Sequence, residues 1–130
     1  MKYIGIDMVE IARIEQAVAR WGEAFLSRIY TGAELAQYQH HPASLAARFA
    51  AKEAVVKVLG TLNDRGFRWK DVEILSAPSG KPVVNLYGQA KTHAERLGIA
   101  DVVVSLSHSK EYAIALAAGE SMAESNQGGQ

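Results

Sequence analysis

The stretch RFAAKEAVVK, residues 48–57, decides how this chain is read. Its spacing predicts a helix from about Ser44 to Leu59, with Gly60 placed to end it as a left-handed cap. At 3.6 residues per turn, Leu45, Phe49, Val56 and Leu59 form one apolar stripe. Ala47, Ala51, Ala54, Val55 and Val58 fill the opposite arc. The solvated face of an ordinary surface helix is missing, yet Arg48, Lys52, Glu53 and Lys57 are set into it. Long basic stems can lie along apolar surface with their heads in water. That explanation fails for Glu53, because a carboxylate buried without a partner is strongly unfavourable or protonates. The pattern implies a helix covered on both sides that meets a charged ligand.

Outward from this helix, Lys2 to Ile6 reads as a short strand running into a helix over Val9 to Arg20. The apolar positions of that helix, Ile11, Ile14, Val18 and Trp21, fall at helical spacing, with Arg13 and Arg20 on the far side. Thr31-Gly32-Ala33-Glu34 has the form of a capping box opening a helix to about Gln39, which His40-His41-Pro42 stops. Beyond Gly60 a polar loop covers Thr61 to Gly66, and from Phe67 the period changes to two. WKDVEILSA and KPVVNLYG read as strands joined through Pro78-Ser79-Gly80 in a hairpin. Gly88 to Leu97 reads as a helix with Ala90, Ala94 and Leu97 inward. DVVVSLSH and EYAIALAAG make a second hairpin across Ser107 to Lys110. The tail from Ser121 has too little apolar content to pack and is expected to be disordered. One domain over residues 1–120 with a tail at 121–130 follows. The fold class is α+β, an antiparallel sheet packed with helices.

At 130 residues the chain suffices for one domain with a hydrophobic core. Fourteen basic and fourteen acidic residues cancel, so net charge gives no argument for nucleic acid. With no cysteine there is neither a disulfide scaffold nor a thiolate metal site. No apolar run approaches the roughly 20 residues that span a bilayer, and the N-terminus lacks an apolar signal core. A soluble cytoplasmic protein is the expectation.

Asp7 ends the predicted first strand, where it either caps the next helix or ligates a hard cation. Glu53 and Lys57 stand four apart in the favourable order, with only Ala46 and Ala50 on their side of the helix. A divalent metal and an anionic ligand together would satisfy the charges. Asp7 and Glu53 offer oxygens to Mg²⁺, which typically takes one or two carboxylates and completes its shell with phosphate and water. Arg48, Lys52 and Lys57 offer donors to phosphate. Ser105 to Lys110 adds hydroxyls, His108 and a lysine at a strand end. No glycine-rich phosphate loop, dinucleotide fingerprint or H-E-x-x-H motif occurs. The residues by themselves therefore lead to a Mg²⁺-assisted site for a phosphorylated ligand. A binding module without catalysis would need the basic groups but not both carboxylates. A purely structural oligomer would pair the embedded charges across subunits.

GIDMVEIARI at 5–14, RFAAKEAVVKVLGT at 48–61, GKP at 80–82 and SLSHSKEYAIA at 105–115 resemble, in order, the motifs of the holo-[acyl-carrier-protein] synthases. These are the small single-domain 4′-phosphopantetheinyl transferases. The resemblance spans the chain to about Gly119 and implies their fold. It implies transfer of phosphopantetheine from coenzyme A to a serine of apo acyl carrier protein, in support of fatty acid biosynthesis, with release of adenosine 3′,5′-bisphosphate. Carried over by position, it makes Asp7 and Glu53 the magnesium ligands and Lys57 the residue that neutralises the pyrophosphate, the three forming the catalytic set. Arg48, Gly80, Lys81, Pro82 and His108 would join Lys57 in binding coenzyme A. Arg13 and Arg20 would face the acidic recognition helix of the carrier protein. Either acid, directly or through water, could take the serine proton. The resemblance further implies a homotrimer with active sites shared between subunits.

Overall fold

In the computed structural model of the chain, the described residues are 2–60 and 68–121. The polar loop and the tail beyond Ser121 expected from the sequence lie outside them. The described elements run β1 (Lys2–Glu10), α1 (Ile11–Trp21), α2 (Glu23–Ile29), α3 (Gly32–Tyr38) and α4 (Pro42–Leu59). A single 3-10 turn (Trp69–Asp71), β2 (Val72–Ser76), β3 (Pro82–Leu86), α5 (Gly88–Leu97), β4 (Ile99–His108) and β5 (Tyr112–Ser121) follow. Two antiparallel sheets result, β1-β5-β4 and β2-β3. This is the α+β architecture expected from the sequence.

The helix α4 lies across the first sheet, and its composition makes that possible. Ala50, Ala51, Ala54, Val55, Val58 and Leu59 are all buried, and they share a core with Ala115 and Ala117 of β5. Small residues on β5 bring the helix close to the sheet. The nearest approach is at Gly5 of β1, where an added Cβ would stand 2.2 Å from the Ala54 carbonyl oxygen and 2.9 Å from Lys57 Cβ. Pro42 opens α4 in its first turn, where a missing N–H costs nothing. Gly60 ends it at φ 89° and ψ −125°, a positive φ as expected but outside the left-handed helical region.

Alternation sorts the sheet into two faces. Register places Ile4, Ile6 and Met8 beside Ala118, Leu116 and Ile114, and these beside Val103, Ser105 and Ser107. This face turns away from α4 and is largely bare: Ile4 is 67% exposed, Val103 61% and Met8 59%. The opposite face carries Gly5, Asp7 and Val9 against Ala117, Ala115 and Ala113.

Strand β1 is longer than predicted. Asp7 lies within it, paired with Ala115, so the helix-cap reading of Asp7 is corrected. The residue before α1 is Glu10, which makes no side-chain cap. The first helical N–H is met instead by the Glu111 carbonyl from the β4–β5 turn, at 2.9 Å. Helix α2 had no counterpart in the sequence reading. It starts at the break made by Gly22 (φ 52°) and buries Leu26 and Ile29. Ser121 pairs with Ile99 as the last residue of β5, one residue beyond the predicted domain edge.

The β2-β3 hairpin turns at Gly80 (φ 90°) as expected. The free edge of β2 is completed by side chains in place of a third strand. The Lys52 ammonium donates to the Val72 carbonyl. The Ile74 N–H donates to Glu34 Oε2 at 2.7 Å, and the Tyr38 hydroxyl donates to the Ile74 carbonyl. Ser76 gives its N–H to Gln37 Oε1 at 2.8 Å and accepts from Gln37 Nε2 at 3.0 Å. Glu34, Gln37 and Tyr38 share one face of α3, at helical spacings of three and four. Backbone groups at a buried edge must be paired, and this short helix does most of that work.

Candidate active site

Gly5 and the alanines of β5 set α4 so close to β1 that Asp7 and the Glu53–Lys57 turn of α4 face one another. Lys57 Nζ donates to Asp7 Oδ1 at 3.2 Å and to the Ile6 carbonyl at 2.8 Å. Among the described residues no ion pair joins Lys57 to Glu53, so the predicted pairing along the helix is replaced by one across to the strand. The Glu53 carboxyl is pushed above the ordinary glutamate range, first by burial and then by the negative charge of Asp7, with Lys57 opposing. Two carboxylates that repel one another are a donor set for a hard cation. Among the described residues no group of three or more His, Asp or Glu converges. A metal here would take these two oxygen ligands and complete its shell from its ligand and water, as Mg²⁺ does.

Asp7 and Glu53 line a cavity of about 550 Å³. Its other wall is α1, with Arg13, Gln16, Arg20 and Trp21, closed by Phe25 and Phe49. Arg13 and Arg20 are exposed and flank the mouth of the cavity, and the Arg20 guanidinium lies 5.0 Å from the Trp21 ring centroid. Trp21 and Phe25 carried no functional reading in the sequence. The available signal was the adjacent Arg20-Trp21 pair, whose tryptophan the structure leaves 57% exposed.

Arg48 points to a different cavity, of about 330 Å³, together with Ser44, Gly80, Pro82, Ser107 and His108. Arg48, Gly80, Pro82 and His108 are thus brought together from three separate segments. Lys81 is exposed in the hairpin turn and does not line this cavity. Arg48 Nη2 donates to Ser76 Oγ at 2.7 Å, and its guanidinium lies 4.3 Å from the Tyr38 ring centroid. Its Nε is buried and has no hydrogen-bond partner among the described residues.

Lys52 requires a correction. The sequence reading offered it to phosphate, but it is fully buried and its ammonium is used up inside the protein. Nζ bonds Glu34 Oε1 at 2.9 Å, the Trp69 carbonyl at 3.2 Å and the Val72 carbonyl. Burial lowers its pKa from the ordinary lysine value, and Glu34 opposes the shift. The capping box supplies this partner: Glu34 Oε1 also accepts from the Thr31 N–H at 2.8 Å. One of the four embedded charges is therefore structural, which leaves Arg48, Glu53 and Lys57 for a ligand.

The model of the 4′-phosphopantetheinyl transferase superfamily matches residues 3–117 of the chain. A holo-[acyl-carrier-protein] synthase of Dehalococcoides mccartyi (strain CBDB1) is 53% identical over 116 residues, covering 89% of this chain and 96% of that protein. The crystal structure of Helicobacter pylori holo-[acyl-carrier-protein] synthase in complex with coenzyme A superposes with a TM-score of 0.81 at 32% identity, covering 90% of this chain and 99% of the other. The Neisseria meningitidis enzyme gives 0.79 at 34% identity, covering 91% and 97%.

Proposed function

The chain belongs to the 4′-phosphopantetheinyl transferase superfamily and is an enzyme of the holo-[acyl-carrier-protein] synthase kind, and from that premise we propose how its own residues carry the reaction. It moves phosphopantetheine from coenzyme A to a serine of apo acyl carrier protein. The observation that carries the proposal is the opposition of Asp7 to Glu53 and Lys57 across the β1–α4 contact. We assign Asp7 and Glu53 to a Mg²⁺ ion, which when bound neutralises pyrophosphate charge.

The serine oxygen attacks the β-phosphorus of coenzyme A, forming a phosphodiester while the bond to the leaving adenosine 3′,5′-bisphosphate breaks. Asp7 or Glu53, directly or through water, receives the serine proton. Lys57 leaves Asp7 to donate to the pyrophosphate. Its side chain is 53% exposed, and ion pairs that open to water hold by under about 1 kcal/mol, so the move is easy. Arg48 and His108, with the Gly80-Lys81-Pro82 turn, hold the nucleotide and its 3′-phosphate. Arg13 and Arg20 orient the acidic carrier protein so that its serine enters the larger cavity.

The carboxylates and Arg48 line different cavities. We infer that a neighbouring subunit joins the two half-sites, and that the bare sheet face of Ile4, Ile6, Met8 and Leu116 is the surface that meets it. A homotrimer, a cytoplasmic setting and service to fatty acid biosynthesis complete the proposal. The test is intact-protein mass spectrometry of apo acyl carrier protein after incubation with coenzyme A and MgCl₂, with a parallel EDTA arm. A phosphopantetheine mass gain that needs both protein and metal is expected. A gain undiminished by EDTA would overturn the metal assignment. Coenzyme A binding with no mass gain would reduce the chain to a binding module.

A further inference from the structure

We propose that Ser76 and Tyr38 are positioning residues that fix the Arg48 guanidinium at the nucleotide cavity before coenzyme A arrives, and so set the preference for a 3′-phosphorylated donor. The inference rests on the reading that Arg48 contacts the 3′-phosphate. Arginine is a long, flexible side chain, and a free one would lose rotamer freedom on every binding event. Here that loss is met in the fold. Nη2 is tied to Ser76 Oγ at 2.7 Å, and the guanidinium carbon lies 4.3 Å over the Tyr38 ring, a favourable cation–π placement.

Both supports are themselves fixed. Gln37 grips the backbone N–H and carbonyl of Ser76 at 2.8 and 3.0 Å, which fixes the strand position from which the hydroxyl projects. The Tyr38 hydroxyl is bonded to the Ile74 carbonyl two residues along the same strand. The buried Arg48 Nε–H has no partner among the described residues, and an unpaired buried donor is costly, so the guanidinium is not fully satisfied by the fold alone. Arg48 lines the adjoining cavity beside Gly80 and His108, and that is where a phosphate would meet its guanidinium. Ser76 and Tyr38 reach neither the carboxylate cluster nor the Arg13 and Arg20 wall, so their influence is confined to the nucleotide end. Preorganised donors of this kind raise affinity by lowering the ordering cost of binding.

The test compares kcat/KM for coenzyme A and for 3′-dephospho-coenzyme A at saturating apo acyl carrier protein. Arg48→Met sets the reference for lost discrimination. Ser76→Ala and Tyr38→Leu are expected to lower the ratio of the two donors by at least about fivefold, through the KM for coenzyme A. Ser76→Thr, which keeps the hydroxyl, is expected to restore it. Should Tyr38→Leu fail to fold, the two Ser76 variants carry the comparison. An Arg48→Met variant with collapsed discrimination beside a Ser76→Ala variant at the wild-type ratio would overturn the positioning role. Equal losses with both donors would do the same, because they report general damage. An unchanged ratio in Arg48→Met would overturn the reading of Arg48 itself, and the proposal with it.

Discussion

Replacing Lys52 with methionine separates a structural role for this lysine from a ligand-binding one. Methionine keeps the length and the apolar contacts of the stem and removes the ammonium. Three acceptors then lose one donor each: Glu34 Oε1, the Trp69 carbonyl, which keeps the Val72 N–H, and the Val72 carbonyl. Both partners of the ion pair are fully buried, and breaking such a pair from one side costs about 3–5 kcal/mol. Glu34 keeps two backbone donors, from Thr31 and Ile74, which argues for the lower end of that range. At roughly 3–5 °C per kcal/mol for a domain of this size, the expected fall in Tm is about 10 °C. The double variant Glu34→Gln/Lys52→Met should recover part of it, since no buried charge is then left alone. The assay is thermal unfolding by circular dichroism beside the KM for coenzyme A of the folded fraction, which should stay near wild type. A Tm within about 2 °C of wild type together with a tenfold rise in that KM would refute the reasoning and return Lys52 to the phosphate.

Glu53→Gln should abolish transfer yet leave the metal-free protein more heat-stable at pH 7. Burial and Asp7 raise the Glu53 pKa, so the folded state holds that proton more tightly than the unfolded one. Stability therefore falls as pH rises from the unfolded value, near 4.5, through the raised folded value, and above that the cost is constant. The Tm gain of the variant should vanish below about pH 4; a gain that persists in acid, or no gain at neutral pH, contradicts the assignment. Gly5→Ala places a Cβ 2.2 Å from the Ala54 oxygen, forcing β1 and α4 apart by about 1 Å, and displacements of that size can cost on the order of a hundredfold in rate. Activity within about twofold of wild type would show that this contact does not set the site. Ile6→Asp puts a charge on the bare sheet face, where Ile6 is 53% exposed. It should leave a folded monomer without transferase activity, as read by sedimentation and circular dichroism, and an intact, active oligomer would remove that face from the interface.

Much of this architecture is written in local patterns. Helix α4, the β2-β3 hairpin and α5 announce themselves through periodicity, Gly60, Gly80 and the alanines of α5. A helix-cap reading stood beside the cation-ligand reading of Asp7 because KYIGIDMVE alternates two apolar-compatible faces, and nothing local marks where such a strand stops. Helix α2 was missed because seven residues after a glycine carry too little period to register. The Lys52 partner was hidden for a different reason. Glu34 satisfies a complete capping box with its own neighbours, so a local account uses it up, although the same carboxylate reaches an ammonium 18 residues away. The candidate side chains stand out in the sequence, since their chemistry is unusual for their setting. Their division between two cavities depends on which side of α4 each one leaves, and on contacts between segments that sequence patterns do not record.

The side-chain edge of β2 bears on how the molecule opens. A strand zipped to a neighbouring strand loses its amide protection one rung at a time, from the end inward. The amides of Ile74 and Ser76 are instead shielded by a carboxylate and an amide from α3, across 40 and 39 residues of chain. They can be released only when the helix lifts away as a unit. In hydrogen–deuterium exchange these two amides should therefore share one opening rate, distinct from that of the β1-β5-β4 sheet. Because Glu34 also holds Lys52, that rate times how often α4 loses its grip on the hairpin.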